Sequence, residues 1–479
     1  MDKNNHTTSS TKTQRKFTHK GTKGKVAKPT DPELAERWIK QYPNTVYGLG
    51  CFRRYAQDTL GVWSEISPTQ VEQEVTKILE KARDEGCRPT SSQLHSVIGF
   101  CRIKTNRATE HFDSDPWRVA FQNCTLDLDT GTMILPLPSS DIQPQILNRS
   151  RFDNFITTAL PYDYDPDAVA ENWLRVISRL SPDEQNLIQE YFGYCLTQET
   201  KHELFLWLIG LAGCGKSVFI EGFKTMLGNK AAQLGLTDLE RSKFAMSIVV
   251  GKTGLYSAEQ FTNNPTTLDF LNKMVSGETV TLEKKNKDHF EYTPHAKFFW
   301  ASTSLPSSIP PDSGFFRRIK VVEVPPLPED QKDLNLKNLI KKEGAGIFNW
   351  AHEGYRRLQK RGHFLIPADV KDVTACYKRE NDTVQNFLDA ECEIGAGLQT
   401  QAGPLSDAYR SYCFRNGMKP ISPQALAKEW KGGGFNWTTI NGRNYWRGVQ
   451  HIPSREAIGQ EFTSENLSKE KEKEKYIFN

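Results

Sequence analysis

Read for the spacing of its apolar positions, the chain opens on a stretch that has almost none. Met1 to Thr30 is rich in Lys, Thr, Ser and Asn, a composition that cannot bury enough surface to order itself and reads as a basic arm. A helical period sets in at "DPELAERWIKQY", with Asp31 as N-cap and Pro32 at the first helical position. "TVYGLGCFRRYAQDTLGVWSEIS" predicts two short strands around a turn, and "SPTQVEQEVTKILEKARDEG" an amphipathic helix ended by Gly86. "WRVAFQNCTLDLDTGTMIL" predicts a turn and strand, and "SPDEQNLIQEYFGYCLTQ" a helix capped by Ser181. Residues 31–195 thus predict an N-terminal helical or α+β domain.

The pattern then changes. "LFLWLIG" is a continuous apolar run of the kind that makes a strand buried on both faces, and "SVFIEGFKTML" has the period of a helix. Strand-like runs recur at "KTGLYSAEQF", "ETVTLEKK" and "AKFFWASTS" with helical pattern between them, which predicts an α/β core with parallel strands over residues 196–330. "LKNLIKKEGAGIFNWAHEGYRRLQKRG" predicts helices in a linker, 331–375. Residues 376–452 predict three short helices and a two-stranded hairpin, the outline of a winged helix. The charged tail, 453–479, carries the solvated run "KEKEKEK".

Between the apolar run and its helix stand Gly210, Leu211, Ala212, Gly213, Cys214, Gly215, Lys216 and Ser217, a full G-x-x-x-x-G-K-[ST] match, with Val218 continuing into the helix. Glycines let the backbone curl so that successive N–H groups face a β-phosphate. Lys216 is suited to the β and γ oxygens, and the Ser217 hydroxyl to Mg²⁺. The pattern predicts a nucleoside triphosphate site, leaving kinase, switch and motor open. Glu259, at the end of "TGLYSAE", can orient an attacking water and is a second candidate near the metal. Lys284, Lys285 and Lys287, with His289, crowd a turn between two strands, either as a solvated tip or as a contact for phosphodiester oxygens.

In that order, "YDYDPDAVAENWLRVI", "IQEYFGYCLTQETKHELFLWLIGLAGCGKS", the Glu259 strand, the lysine turn, "FFWASTSLPSSIPPDSGFFRRIKVVEVP" and "YWRGV" resemble superfamily 3 helicases. The resemblance is to the helicase half of phage, plasmid and poxvirus primase-helicases, over roughly residues 117–450. It implies an AAA+-like P-loop core that forms a ring, expected to be a hexamer, with ATP and Mg²⁺ at subunit interfaces and single-stranded or forked DNA in the channel. It also implies that Glu259 polarises water, that Lys284, Lys285 and Lys287 line the channel, and that Arg317 or Arg318 is an arginine finger reaching a neighbour's γ-phosphate; Arg318 is the favoured choice. Thr303 takes a sensor position usually held by Asn, and Ala258 stands where an acid often precedes the catalytic Glu.

The expectation is an ATP-dependent DNA helicase for replication of a virus, phage, plasmid or other mobile element. The alternative is an ATP-assembled DNA-binding initiator or regulator with little hydrolysis, which Ala258 and Thr303 favour. The resemblance implies full-length proteins with a primase module ahead of the helicase; the residues before the resembling part are expected to be too few for one, which predicts a separate primase or polymerase as a partner. Asp127 and Asp129 of "NCTLDLDTG" read as a strand and turn. With 62 basic and 58 acidic side chains the net charge of +4 identifies no partner. Nine cysteines without a Cys-x-x-Cys pair argue against a zinc module and fit reduced thiols. No apolar run reaches the roughly 18–20 residues that span a bilayer and no signal-peptide core opens the chain, which predicts no membrane partner and a bacterial or host cytoplasmic location.

Overall fold

The computed structural model describes residues 28–56, 62–87, 89–108, 112–113, 115–134, 155–241, 248–258, 268–282, 290–306, 309, 314–418 and 420–452. Its chain divides into two compact units, one of residues 28–45 and 66–106, the other of 46–65 and the chain from 107 onward. The segment 31–195, expected as one domain, is therefore split between them.

Three helices, Asp31–Gln41, Pro68–Lys81 and Ser91–Thr105, make the first unit. Leu34, Ala35 and Trp38 bury with Val71, Val75, Ile78 and Leu79 of the second helix and Val97 and Cys101 of the third. The buried Trp38 indole donates to Glu74 Oε2 at 3.2 Å, so neither polar group is left unpaired in the core. Asp31 is the first helical residue and Thr30 the N-cap, with Glu33 completing a capping box. The third helix was not legible in the sequence because the apolar residues of "SSQLHSVIGFCRIKT" do not gather on one face.

The second unit opens with a three-stranded sheet, β1 Thr45–Gly48, β2 Cys51–Ala56 and β3 Val62–Glu65, where the sequence predicted two strands. A second small sheet follows, β4 Arg118–Ala120, β5 Thr125–Asp127 and β6 Met133–Ile134. It places Asp127 and Asp129 at a turn, with Asp127 Oδ1 accepting the Asp129 and Thr130 amides at 3.0 Å.

The centre of the unit is a five-stranded, all-parallel sheet. Its strands are β7 Phe205–Ile209, β8 Ala231–Gln233, β9 Gly254–Ser257, β12 Lys297–Ser302 and β13 Ile319–Glu323, in the order β13-β7-β12-β9-β8. Alternation assigns its side chains to two cores. Leu206, Leu208, Phe299, Ala301 and Val322 face a core built with the helices Pro182–Leu196, Lys216–Leu227 and Gly344–Arg361. Phe205, Trp207, Phe298, Trp300 and Val321 face the other, which includes Trp63, Leu271 and Met274. Burial on both faces is why "LFLWLIG" and "AKFFWAS" read as unbroken apolar runs.

Helix Pro182–Leu196 begins at Ser181, whose capping box with Glu184 bears out the sequence reading. It lies so close to helix Gly344–Arg361 that a Cβ on Gly193 would come within 2.3 Å of the Ala351 carbonyl oxygen. The buried Glu190 carboxylate binds Arg357 Nε at 2.8 Å and Arg361, fixing the register of the pair.

"ETVTLEKK" does not supply a strand of the parallel sheet. Its residues form β10 Val280–Leu282, antiparallel to β11 Phe290–Tyr292 with Val280 opposite Tyr292. Only Val280 and Leu282 of β10 are buried, so one face stays in solvent as a hairpin allows.

At the C-terminal end, helix Thr383–Glu391, β14 Cys392–Gln401, helices Ala402–Arg415 and Pro423–Gly432, β15 Asn436–Ile440 and β16 Arg443–His451 enclose a core of Phe387, Leu405, Tyr409, Trp430 and Trp446. The sequence predicted the three helices and the hairpin but not β14, whose glycines and largely solvated side chains hide its strand character. The expected start of this region at residue 376 falls inside helix Ala368–Asn381. That helix belongs with the parallel sheet, since Thr374 Oγ1 accepts the Val321 amide at 3.1 Å and Tyr377 joins the second core.

One polar group in this interior has a measurable cost. Lys297, at the N-terminal end of the central strand β12, is 4% exposed, donates to the carbonyls of Thr197 at 2.5 Å and His295 at 2.9 Å, and lies 4.7 Å from the centre of the Tyr194 ring. Burial pulls its pKa down to about 7. Between that value and the ordinary lysine range the unfolded chain binds a proton that the folded chain does not, so stability rises with pH across this window and is lost again as pH falls through about 7. The pH dependence of Tm should therefore have a rising component from about 7 to 10 that is absent in Lys297→Met; equal slopes in the two proteins would show that Lys297 keeps its proton when folded.

Candidate functional site

All five strands of the central sheet run parallel, so their C-terminal ends share one edge, where open α/β sheets place their ligands. The register sets Ile209 beside Ser302 and Glu323, and Trp300 beside Ser257. The glycine-rich loop after β7, Ala258 after β9 and Thr303 after β12 thus converge at that edge. Thr303 is exposed there. It follows Ser302, whose hydroxyl accepts the Trp207 indole N–H at 2.8 Å and donates to the Ser304 carbonyl at 2.5 Å. Glu259, Lys284, Lys285, Lys287 and His289 lie outside the described residues; the strands that would carry the lysine turn are β10 and β11.

The loop is held by backbone that other residues cannot adopt without strain. Gly213 and Gly215 have φ of +80° and +92°, and Gly215 then serves as N-cap of the helix Lys216–Leu227. Gly210 is needed for space, because a Cβ there would lie 2.7 Å from the Val324 carbonyl oxygen. Leu211, Ala212, Gly213 and Ser217 are exposed, Cys214 is buried, and Val218 N donates to Gly215 O at 2.9 Å. Lys216, only 8% exposed, folds over the loop and donates to the carbonyls of Gly210 at 2.7 Å and Leu211 at 2.9 Å. An ammonium beside the first turn of a helix whose N–H groups and dipole face outward makes an anion site. The exposed Ser217 hydroxyl in that turn is the oxygen donor available to a magnesium ion. Among the described residues no cluster of three or more His, Cys, Asp or Glu is placed to hold a metal by itself.

Two cations at this loop were not found from the sequence. Arg179 NH2 donates to Cys214 O at 2.9 Å and Pro325 O at 2.7 Å, joining the loop to the segment after β13. Its NH1 lies 2.9 Å from where a Cβ on Gly215 would be, and burial lowers its pKa. Lys332, ion-paired with Glu329, comes within 3.2 Å of a Cβ on Gly213. Both arrive from outside the motif, so no local spacing marks them. A cleft of about 470 Å³ opens beside Arg179, walled by Val321, Pro325, Pro326 and Val370.

The two candidate finger arginines have different surroundings. Arg318 is 8% exposed and donates to Glu203 Oε2 at 2.9 Å, Ser276 Oγ at 2.7 Å and Gly314 O at 3.1 Å. Arg317 keeps 71% of its side chain exposed and meets Glu203 at 2.7 Å. Arg317 is thus an exposed arginine with one ion pair, and Arg318, the choice favoured from sequence, is a buried one with several partners.

Two family models match the chain: D5 N terminal like over residues 35–182, and a family of unknown function, DUF5906, over 208–318. A protein of Acanthamoeba polyphaga mimivirus named "Putative helicase L207/L206" is 23% identical over 311 residues, which cover 58% of this chain and 31% of the relative. The chain thus spans about a third of the length of that relative. Apo structures of the NrS-1 C-terminal region cover 88% of this chain and all of theirs, at 13% and 12% identity with TM-scores of 0.47 and 0.46. The chain resembles the primase-helicases of viruses and phages. No helix among the described residues is long and apolar enough to cross a membrane.

Truncating the two arginines should separate structure from surface. Arg318→Ala strands a buried set of acceptors and should cost about 1–3 kcal/mol of stability in denaturant unfolding. Arg317→Ala removes one exposed ion pair and should stay within about 1 kcal/mol of the parent. Equal losses would mean that Arg317 is also built into the fold.

Proposed function

We propose that the chain is an ATP-dependent DNA helicase of the superfamily 3 type, working as an AAA+-like ring in the replication of a virus, phage, plasmid or other mobile element. The observation that carries the reading is the glycine-rich loop at the C-terminal edge of the parallel sheet, with Lys216 folded over it and the ends of β9 and β12 beside it. The resemblance to primase-helicases and the name of the mimivirus relative support it.

In this reading the loop amides hold the β-phosphate of ATP, Lys216 moves from the Gly210 and Leu211 carbonyls onto the β and γ oxygens, and the Ser217 hydroxyl takes Mg²⁺. Glu259, next but one after β9, polarises the attacking water with Thr303 beside it. Arg317 reaches the neighbouring subunit's γ-phosphate, and Arg318 holds the short helix Phe315–Arg318 from which Arg317 projects. The cleft by Arg179 is open for the base. Lys284, Lys285, Lys287 and His289 at the end of the β10–β11 hairpin meet single-stranded DNA in the channel, and the C-terminal helices with β14–β16 act as a winged helix. A second reading, an ATP-assembled initiator with little hydrolysis, is favoured by Ala258, which brings no carboxylate to the sheet edge.

Replacing Lys284, Lys285 and Lys287 together with Ala tests the motor reading. Three lost phosphate contacts should flatten the log-log salt slope of single-stranded DNA binding by about 2, at roughly 0.7 per contact, and strand displacement should stop. A wild-type chain that binds forked DNA and displaces no strand would favour the initiator. An unchanged slope with full unwinding would remove the lysines from the DNA path.

A further inference from the structure

The sheet has a second edge, at the N-terminal ends of its strands and away from the glycine-rich loop, and a cavity of about 770 Å³ opens there. Lys230 precedes β8 and Thr253 precedes β9; Thr253 N donates to Lys230 O at 3.0 Å, so the sheet register sets the two residues side by side. Both line the cavity, and they are 6% and 4% exposed. The Thr253 hydroxyl is buried with no hydrogen-bond partner among the described residues. Among the described residues the Lys230 side chain donates no hydrogen bond, and the charge of Asp113 favours its charged form while burial opposes it. Asp113 is already engaged, accepting Thr157 N at 2.8 Å and Thr157 Oγ1 at 2.6 Å.

A largely buried lysine beside a buried hydroxyl that has no partner among the described residues is costly, and a methionine and a valine would fill the same space without that cost. Lys297 shows the contrast: it is equally buried at the same sheet edge, yet donates to two carbonyls. Other cavity walls define what would fit. Lys252 adds a second ammonium, held to the Asn229 carbonyl at 2.5 Å. Phe112 and Tyr292 give aromatic surface, and His295 stays neutral because burial pulls its pKa down to about 4. Thr279, Glu291 and Thr293 place the cavity at the root of the β10–β11 hairpin; Glu291 is exposed.

We propose that this cavity binds a nucleotide unit, with its phosphate on Lys230 and Thr253 and its base or sugar against Phe112 and Tyr292. Two ammonium groups with an unused hydroxyl suit a phosphate, aromatic walls suit a base, and the volume admits a nucleotide. The β10–β11 hairpin makes single-stranded DNA one source of that phosphate, an assignment that rests on the helicase reading; a free nucleotide is the other.

The test uses the full chain with excess ADP present, so that any triphosphate site is filled. Binding of a short fluorescent oligodeoxythymidylate and of dTMP is compared in wild type, Lys230→Met and Thr253→Val, with thermal melts of each. Lys230→Met should weaken binding roughly tenfold or more, the loss of a charged hydrogen bond, without lowering Tm. Thr253→Val should weaken it several-fold. Loss confined to the oligomer identifies DNA as the ligand. A Lys230-dependent dTMP site with no oligomer binding keeps the cavity proposal while the DNA reading fails. Oligomer binding that ignores both substitutions, with no dTMP binding, overturns the cavity and leaves the DNA reading standing. A Tm that falls in Lys230→Met with binding unchanged shows the lysine to be structural and also overturns it.

Discussion

A backbone that points several amides at one spot must turn against its own handedness and leave carbonyls behind it unpaired. The loop from Gly210 to Gly215 meets the first demand with glycines at positive φ at positions 210, 213 and 215. The second is met by cations: Lys216 takes the carbonyls of Gly210 and Leu211, and Arg179 takes that of Cys214. Much of the second unit serves this arrangement. The double-faced burial of β7 fixes where the loop starts, and helix Lys216–Leu227, packed by Phe219, Phe223 and Met226, fixes where it ends.

Arg179 links that loop to the outer strand of the sheet, since the same NH2 also reaches the Pro325 carbonyl just beyond β13. Upstream of β13, Arg318 is anchored by Glu203 and Ser276 and leaves Arg317 in solvent. One strand thus carries a brace for the loop at one end and an exposed arginine at the other.

The loop, the strands on either side of it and the Ser181 cap were legible in the sequence because each is written in contiguous residues. Continuous apolar runs marked β7 and β12, and glycine spacing marked the turn between strand and helix. What escaped is what depends on distant residues. Arg179 and Lys332 meet the loop through the fold alone, and the division of Arg317 from Arg318 depends on Glu203 and Ser276. The cavity by Lys230 and Thr253 exists because β8 and β9 are neighbours, which no local pattern states. Helix Ser91–Thr105 and β14 lacked a periodic apolar face, the signal on which sequence reading rests. The two strands flanking the lysine turn were read from the sequence, but that β10 pairs only with β11 and stays out of the parallel sheet was not legible in a strand of three residues.

The central claim is that the glycine-rich loop holds a triphosphate for hydrolysis, and ATP turnover by the full chain and by Lys216→Ala, with and without single-stranded DNA, tests it most directly. Turnover that DNA stimulates is expected in the parent, with a fall on the order of a hundredfold or more in Lys216→Ala when measured below its Tm, which the two carbonyls left without Lys216 should lower. Equal turnover in the two proteins would contradict it, because the cation folded over the loop would then have no part in the chemistry.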